Sequence, residues 1–124
     1  LEARSRSSRI SIGAGTWINN DFRCIAEHTS VSIGRDCLIG SRVEIIDSDF
    51  HGLCINERRS SNEQTAAPVE IRDCVLIGSN ARVLKGVTIG EGSVIGNSAV
   101  VISDIPAGCI AVGVPARVVG KVPL

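Results

Sequence analysis

A leading aliphatic residue returns every six positions through the second half of this chain. From Ile71 the sequence divides into IRDCVL, IGSNAR, VLKGVT, IGEGSV, IGNSAV and VISDIP, led by Ile71, Ile77, Val83, Ile89, Ile95 and Val101. Glycine follows the leader at Gly78, Gly90 and Gly96, and the fifth place holds Val75, Ala81, Val87, Ser93, Ala99 and Ile105. A period of six matches neither the turn of a helix nor the plain alternation of a long strand, so helices are excluded as the main element. It matches a parallel β-solenoid in which each block supplies one short strand and one turn. Three blocks close a triangular coil, with the leader pointing inward, the glycine easing the turn and the small fifth residue near a corner. The same pattern appears upstream as IGRDCL and IGSRVE, led by Ile33 and Ile39, with Ile45 in phase and weaker traces at Ile12 and Ile18. The count predicts about six coils.

Composition agrees with a thin prism. The chain has one Trp, two Phe and no Tyr among its 124 residues, so aliphatic side chains must tile the interior. Formal net charge is zero, which gives no attraction to nucleic acid or an anionic membrane surface. No apolar stretch approaches the length of a membrane span. Five cysteines, odd in number and without a CxxC pair, fit neither a disulfide framework nor a zinc site. They read as reduced packing residues of a cytoplasmic protein. The expectation is one domain over residues 1–124. Its abrupt opening without Met fits a processed chain or one missing N-terminal residues.

The rhythm breaks once. From Ile45 to Ile71 the spacing is not a multiple of six, so residues from about 48 to 67 leave the prism as a protruding loop. Excursions from a solenoid usually lie on its binding face. This one holds His51, one of two histidines. Imidazole titrates near neutrality and can serve as a general base at cellular pH. Asp47 and Asp49 precede it, and even spacing in an extended segment gives Asp49 the better position to orient the ring. Both aspartates also suit a turn.

Three stretches carry a resemblance: DFH at 49–51, the polar loop closed by Pro68, and the ending DIPAGCIAVGVPARVV. Together they resemble the hexapeptide-repeat acyltransferases, and among them the galactoside and maltose type of sugar O-acetyltransferase and relatives from polysaccharide clusters. The resemblance implies a left-handed parallel β-helix, acetyl-CoA as acyl donor, no metal, a saccharide acceptor, and a homotrimer with active sites between subunits. It places the catalytic base at His51. It places acceptor binding at Asn20, with Asn19 and Asp21 as rivals because the repeat slips there. Ser79 falls where the backbone faces the thioester, a place for an oxyanion donor. Asn97 and Ser98 fall along the pantetheine arm, and Arg117, helped by Lys121, near the nucleotide phosphates. It assigns no role to His28, which then reads as solvent-facing or strand-capping.

The chain departs from the pattern in three ways. Ile102-Ser103 replaces the Thr-Lys usual before DIP, Leu76 replaces a tryptophan, and the galactoside enzymes' small helical domain has no counterpart in these residues. An N-acetyltransferase acting on an amino sugar and a non-catalytic trimeric scaffold remain alternatives. For a trimer, the apolar residues expected outside the prism are Leu38, Leu76, Val94 and Val100.

Overall fold

The structure is a computed structural model that describes residues 1–61 and 65–123. The chain winds as a left-handed parallel β-helix with three faces. The first face stacks β1 (Glu2–Ala3), β4 (Arg23–Ala26), β7 (Glu44–Ile46), β10 (Arg82–Val83) and β13 (Val100–Val101). The second stacks β2 (Arg9–Ile12), β5 (Ser30–Ile33), β8 (Val69–Ile71) and β11 (Thr88–Ile89). The third stacks β3 (Trp17–Ile18), β6 (Leu38–Ile39), β9 (Leu76–Ile77), β12 (Val94–Ile95) and β14 (Cys109–Val112), closed by β15 (Arg117–Lys121). All pairings are parallel except β14 with β15, which folds back antiparallel and ends the stack. The first face therefore has five rungs rather than six, because the loop and the folded-back tail spend residues off the prism.

The interior follows the period. Every leader from Ile33 onward and every fifth-place residue from Val75 to Ile105 is buried. Ile12 and Ile18, near the open end, are only half-buried. Neither Phe nor Trp enters the column: Trp17 lies 75% exposed and Phe50 meets Arg4 at 5.4 Å. Among the cysteines, Cys24, Cys37 and Cys109 are buried packing residues, and burial pushes the Cys24 thiol up to about 12. Cys54 and Cys74 are exposed free thiols.

The repeating glycines have a different purpose from the one expected. Gly78 and Gly96 do not carry the positive φ of the turn; Asn80 and Ser98, two residues later, do, at 64° and 62°. A Cβ on Gly78 would lie 2.7 Å from the Asn97 backbone nitrogen. Glycine is required there because successive coils approach closely, not because the turn is left-handed.

Register locates the irregularities. Leu76 pairs with Val94, 18 residues on, the length of a regular coil. Arg23 pairs with Glu44, 21 residues on, and Ile33 pairs with Ile71, 38 residues on. The short excess is Glu27–Thr29, between β4 and β5. The long one is the loop between β7 and β8, pinned at its base by the Ser48–Ala66 bridge and carrying a 3-10 turn at Ile55–Glu57. Residues 62–64 of the predicted loop lie outside the described residues. Both excesses occur at the corner joining the first face to the second, one coil apart.

Candidate active site

Asp47 holds that corner together. Its side chain is fully buried, and its carboxylate accepts the backbone N–H groups of Glu27 at 2.7 Å, His28 at 3.3 Å and Thr29 at 2.7 Å. A three-residue bulge leaves those donors without a strand partner, and one carboxylate satisfies all three. Asp47 is thus a structural cap for the coil below.

Two residues on, Asp49 meets Lys85 at 2.6 Å in a part-buried ion pair, and its N–H donates to Thr65 O at 3.0 Å. The sequence reading set Asp49 to orient His51. In the structure its carboxylate turns to the Lys85 ammonium of the next coil, and among the described residues neither aspartate hydrogen-bonds the imidazole.

His51 is exposed and lies between two unusual backbone positions. Phe50 adopts φ 67°, a left-handed conformation rare outside glycine, with its N–H on Ser48 Oγ at 2.8 Å. Gly52 is buried, and its N–H is shared between the carbonyls of Glu57 at 3.1 Å and Ser60 at 3.0 Å. A Cβ on Gly52 would sit 2.4 Å from Glu57 Cβ, so this close turn needs glycine. The ring's Nδ1 is 3.0 Å from Gly52 O. A carbonyl only accepts, so Nδ1 carries the hydrogen and the neutral ring keeps its lone pair on Nε2. His51, Asp49, Lys85, Thr65 and Cys54 line a small cavity of about 230 Å³. Lys85, which the sequence reading missed, is the cation of this cavity. It sits inside a repeat block, and nothing in its local pattern marks it.

The remaining predicted residues gather on a different corner, between the third face and the first. Asn20 O accepts Arg42 N–H at 2.9 Å, Ser41 O accepts Asn80 N–H, and Ser79 O accepts Ser98 N–H, which makes one ladder through Asn20, Ser41, Ser79, Asn97 and Ser98. The Ser79 amide is not free, as an oxyanion donor requires. It donates to Asn97 Oδ1 at 3.0 Å, and Ser79 Oγ in turn accepts Ser41 N–H at 3.2 Å. Coil-to-coil capping by side chains consumes it. Arg117 follows the Gly113–Ala116 turn that closes this ladder, where Ala116 N–H bonds Val100 O at 2.9 Å. Arg117 and Lys121 are both exposed cations on β15.

One prism face separates the two groups. At about 3.3 Å per extended residue, the six residues from Ser79 to Lys85 span on the order of 15–20 Å. A single chain therefore brings together His51, Asp49 and Lys85 on one corner and Asn20, Ser79, Asn97, Ser98 and Arg117 on another. A larger groove of about 870 Å³ runs along the second face past Glu70, Arg72, Asp73 and Asp104, and holds none of the predicted residues.

The third face presents an apolar row to its exterior. Trp17, Leu38, Leu76, Val94 and Ile110 stand in register on successive strands. Val100, expected with them, instead lies on the first face beside Arg82. No helix among the described residues is long and apolar enough to cross a membrane.

Comparison with known proteins agrees with this architecture. The model of the bacterial transferase hexapeptide (six repeats) matches residues 68–103. Galactoside O-acetyltransferase of Escherichia coli K12 is 35% identical over 120 residues, covering 95% of this chain and 57% of the relative. The crystal structure of the polySia-specific acetyltransferase NeuO superposes with a TM-score of 0.82 at 35% identity, covering 92% of this chain and 48% of that one. A hexapeptide-repeat acetyltransferase of Vibrio cholerae, solved with acetyl coenzyme A, superposes at 0.82 and 30% identity, covering 99% and 65%. This chain spans about half the length of the curated relatives it matches. Its repeats, its three-faced helix and its single loop at the histidine place it among the hexapeptide-repeat acyltransferases, with sugar O-acetyltransferases as the relatives it resembles.

Proposed function

We propose that this chain transfers an acetyl group from acetyl-CoA to a hydroxyl of a saccharide, with His51 as general base. The observation that carries this reading is the His51 tautomer. Nδ1–H is given to Gly52 O, on a loop held by a left-handed Phe50 and a buried Gly52, and Nε2 is left to take a proton. Acetyl-CoA supplies the electrophilic thioester carbonyl. Nε2 removes the acceptor's hydroxyl proton as that oxygen attacks, and the imidazolium returns a proton to the departing thiolate, so ester and free CoA leave with the base restored. The exposed Arg117 and Lys121 offer charge to the CoA phosphates. Ser79 serves an oxyanion only when the Asn97 carboxamide swings off its N–H, and Asp49 acts through its pair with Lys85 as a wall of the cavity.

A homotrimer completes the site. The two groups of residues lie on different corners of one prism, and the apolar row from Trp17 to Ile110 supplies a surface for further copies. With the corner of one chain set against the loop of its neighbour, Asn20, Ser79, Asn97, Ser98 and Arg117 can face His51. Free thiols and dependence on acetyl-CoA support a cytoplasmic location.

Calorimetric titration with acetyl-CoA, against CoA alone, tests the donor. A screen for CoA release with a β-galactoside, a sialic acid oligomer and an amino sugar then tests the acceptor class. Saturable donor binding with turnover on hydroxyl acceptors is expected. Turnover on the amine alone replaces the reading with N-acetylation, and no donor binding in a trimer replaces it with a scaffold.

A further inference from the structure

His28 is not solvent-facing. It belongs to the Glu27–Thr29 bulge directly beneath the loop, with 19% of its side chain exposed, and Glu27 beside it with 15%. Its Nε2 lies 2.9 Å from Ser61 Oγ, on the returning arm of the loop. Ser61 donates its hydroxyl hydrogen to Glu27 Oε1 at 2.6 Å, so the Ser61 oxygen accepts from His28 and Nε2 carries the hydrogen. Glu27 Oε1 is also 3.4 Å from that nitrogen, and Oε2 is buried without a hydrogen-bond partner in the described residues. A carboxylate this buried depends on the donors it has, which makes the Glu27–Ser61–His28 cluster costly to open.

The cluster is fastened at both ends. Below, Asp47 fixes the backbone of Glu27, His28 and Thr29. Above, Ser61 Oγ lies 3.4 Å from Thr65 Oγ1, which lies 3.2 Å from Ser48 Oγ, and Thr65 O accepts Asp49 N–H. Ser48 Oγ accepts Phe50 N–H, one residue before His51. A continuous set of hydrogen bonds thus runs from His28 to the backbone that aims the base.

We propose that His28 and Glu27 are positioning residues: they clamp Ser61 and thereby hold the loop in the conformation that aims His51. The proposal rests on His51 as the base. The test compares His28→Ala, His28→Gln, Ser61→Ala and the His28→Ala/Ser61→Ala double variant, assayed with acetyl-CoA and methyl β-galactoside. Melting temperatures and tryptic cleavage at the exposed Arg58 and Arg59 are followed in parallel. Each alanine variant should lose about 10-fold or more in kcat, the scale of a misaimed catalytic group, with KM for acetyl-CoA unchanged. The double variant should be no worse than either single one, and glutamine, which can donate from a similar place, should recover most of the rate. The alanine variants should also be cut faster by trypsin than wild type. Unchanged kcat in His28→Ala, multiplying losses in the double variant, or no recovery with glutamine overturns the clamp. If His28→Ala does not fold, Ser61→Ala carries the same comparison. If wild type acetylates no acceptor, the reading of His51 fails by itself, and trypsin rates decide the clamp: equal cutting of wild type and His28→Ala overturns it.

Discussion

Two corners of the same prism are built by opposite means. The corner at Asn20, Ser41, Ser79 and Asn97 repeats one geometry coil after coil, each coil handing a side-chain or backbone oxygen to an amide of its neighbour. The corner at Glu27, Asp47, His51 and Lys85 repeats nothing. It takes a bulge of three residues, then a loop, and supports them with a buried carboxylate, an ion pair and a hydroxyl relay. The regular corner draws its stability from stacking, so any small polar residue serves there. The irregular corner has no ladder to pair its backbone, so each polar group must be matched individually. Chemistry collects where individual matching is already required.

Four substitutions sharpen this contrast, in order of falling effect. His51→Ala should cost about 10²–10⁴ in kcat, the usual contribution of a positioned base, while circular dichroism and melting stay as in wild type. Retained turnover would end the catalytic reading of the loop. Asp47→Ala, two residues before the ion-paired Asp49, should be a stability variant. Leaving three corner amides without an acceptor should cost about 3 kcal/mol or more, at roughly 1–3 kcal/mol for each buried orphan, and urea unfolding would report it. An Asp47→Ala protein with native stability would show that the bulge closes without its cap. On the regular corner, Asn97→Ala removes one cap from Ser79 N–H and should cost about 1 kcal/mol. The same variant frees that amide, so kcat should hold or rise if Ser79 serves an oxyanion and fall if Asn97 itself grips the donor. Smallest is Asp49→Ala. Its pair with Lys85 is about one-third exposed and worth no more than about 1 kcal/mol, so melting should barely move. A large loss there would mean that the two aspartates share one structural duty.

Much of the molecule was legible in one dimension. Burial at one position in six can be met only by a narrow solenoid, so the leaders from Ile33 to Val101 and the small fifth residues announced the prism and its aliphatic column. The loop was legible as a loss of phase between Ile45 and Ile71, and His51 as the histidine inside it. The three-residue bulge was less visible. Ile12 and Ile18 are also out of phase with Ile33 and Ile39, but by so few residues that the slip reads as a weak repeat. The bulge is where His28 was misread.

Which partners polar side chains choose was not written in the sequence. Asp47 and Asp49 look equivalent two residues apart, yet one is buried on three amides and the other reaches Lys85, 36 residues on. Ser79 looked like a free amide beside a thioester until the next coil placed Asn97 on it. Gly78 looked like a turn residue until the coil above arrived within a bond's reach of its absent Cβ. The period alone determined the prism, since hydrophobic burial depends on spacing and is indifferent to partner. Hydrogen bonds and ion pairs depend on direction and on distances of a few ångströms between residues far apart in the chain, so only the stacked coils could decide them.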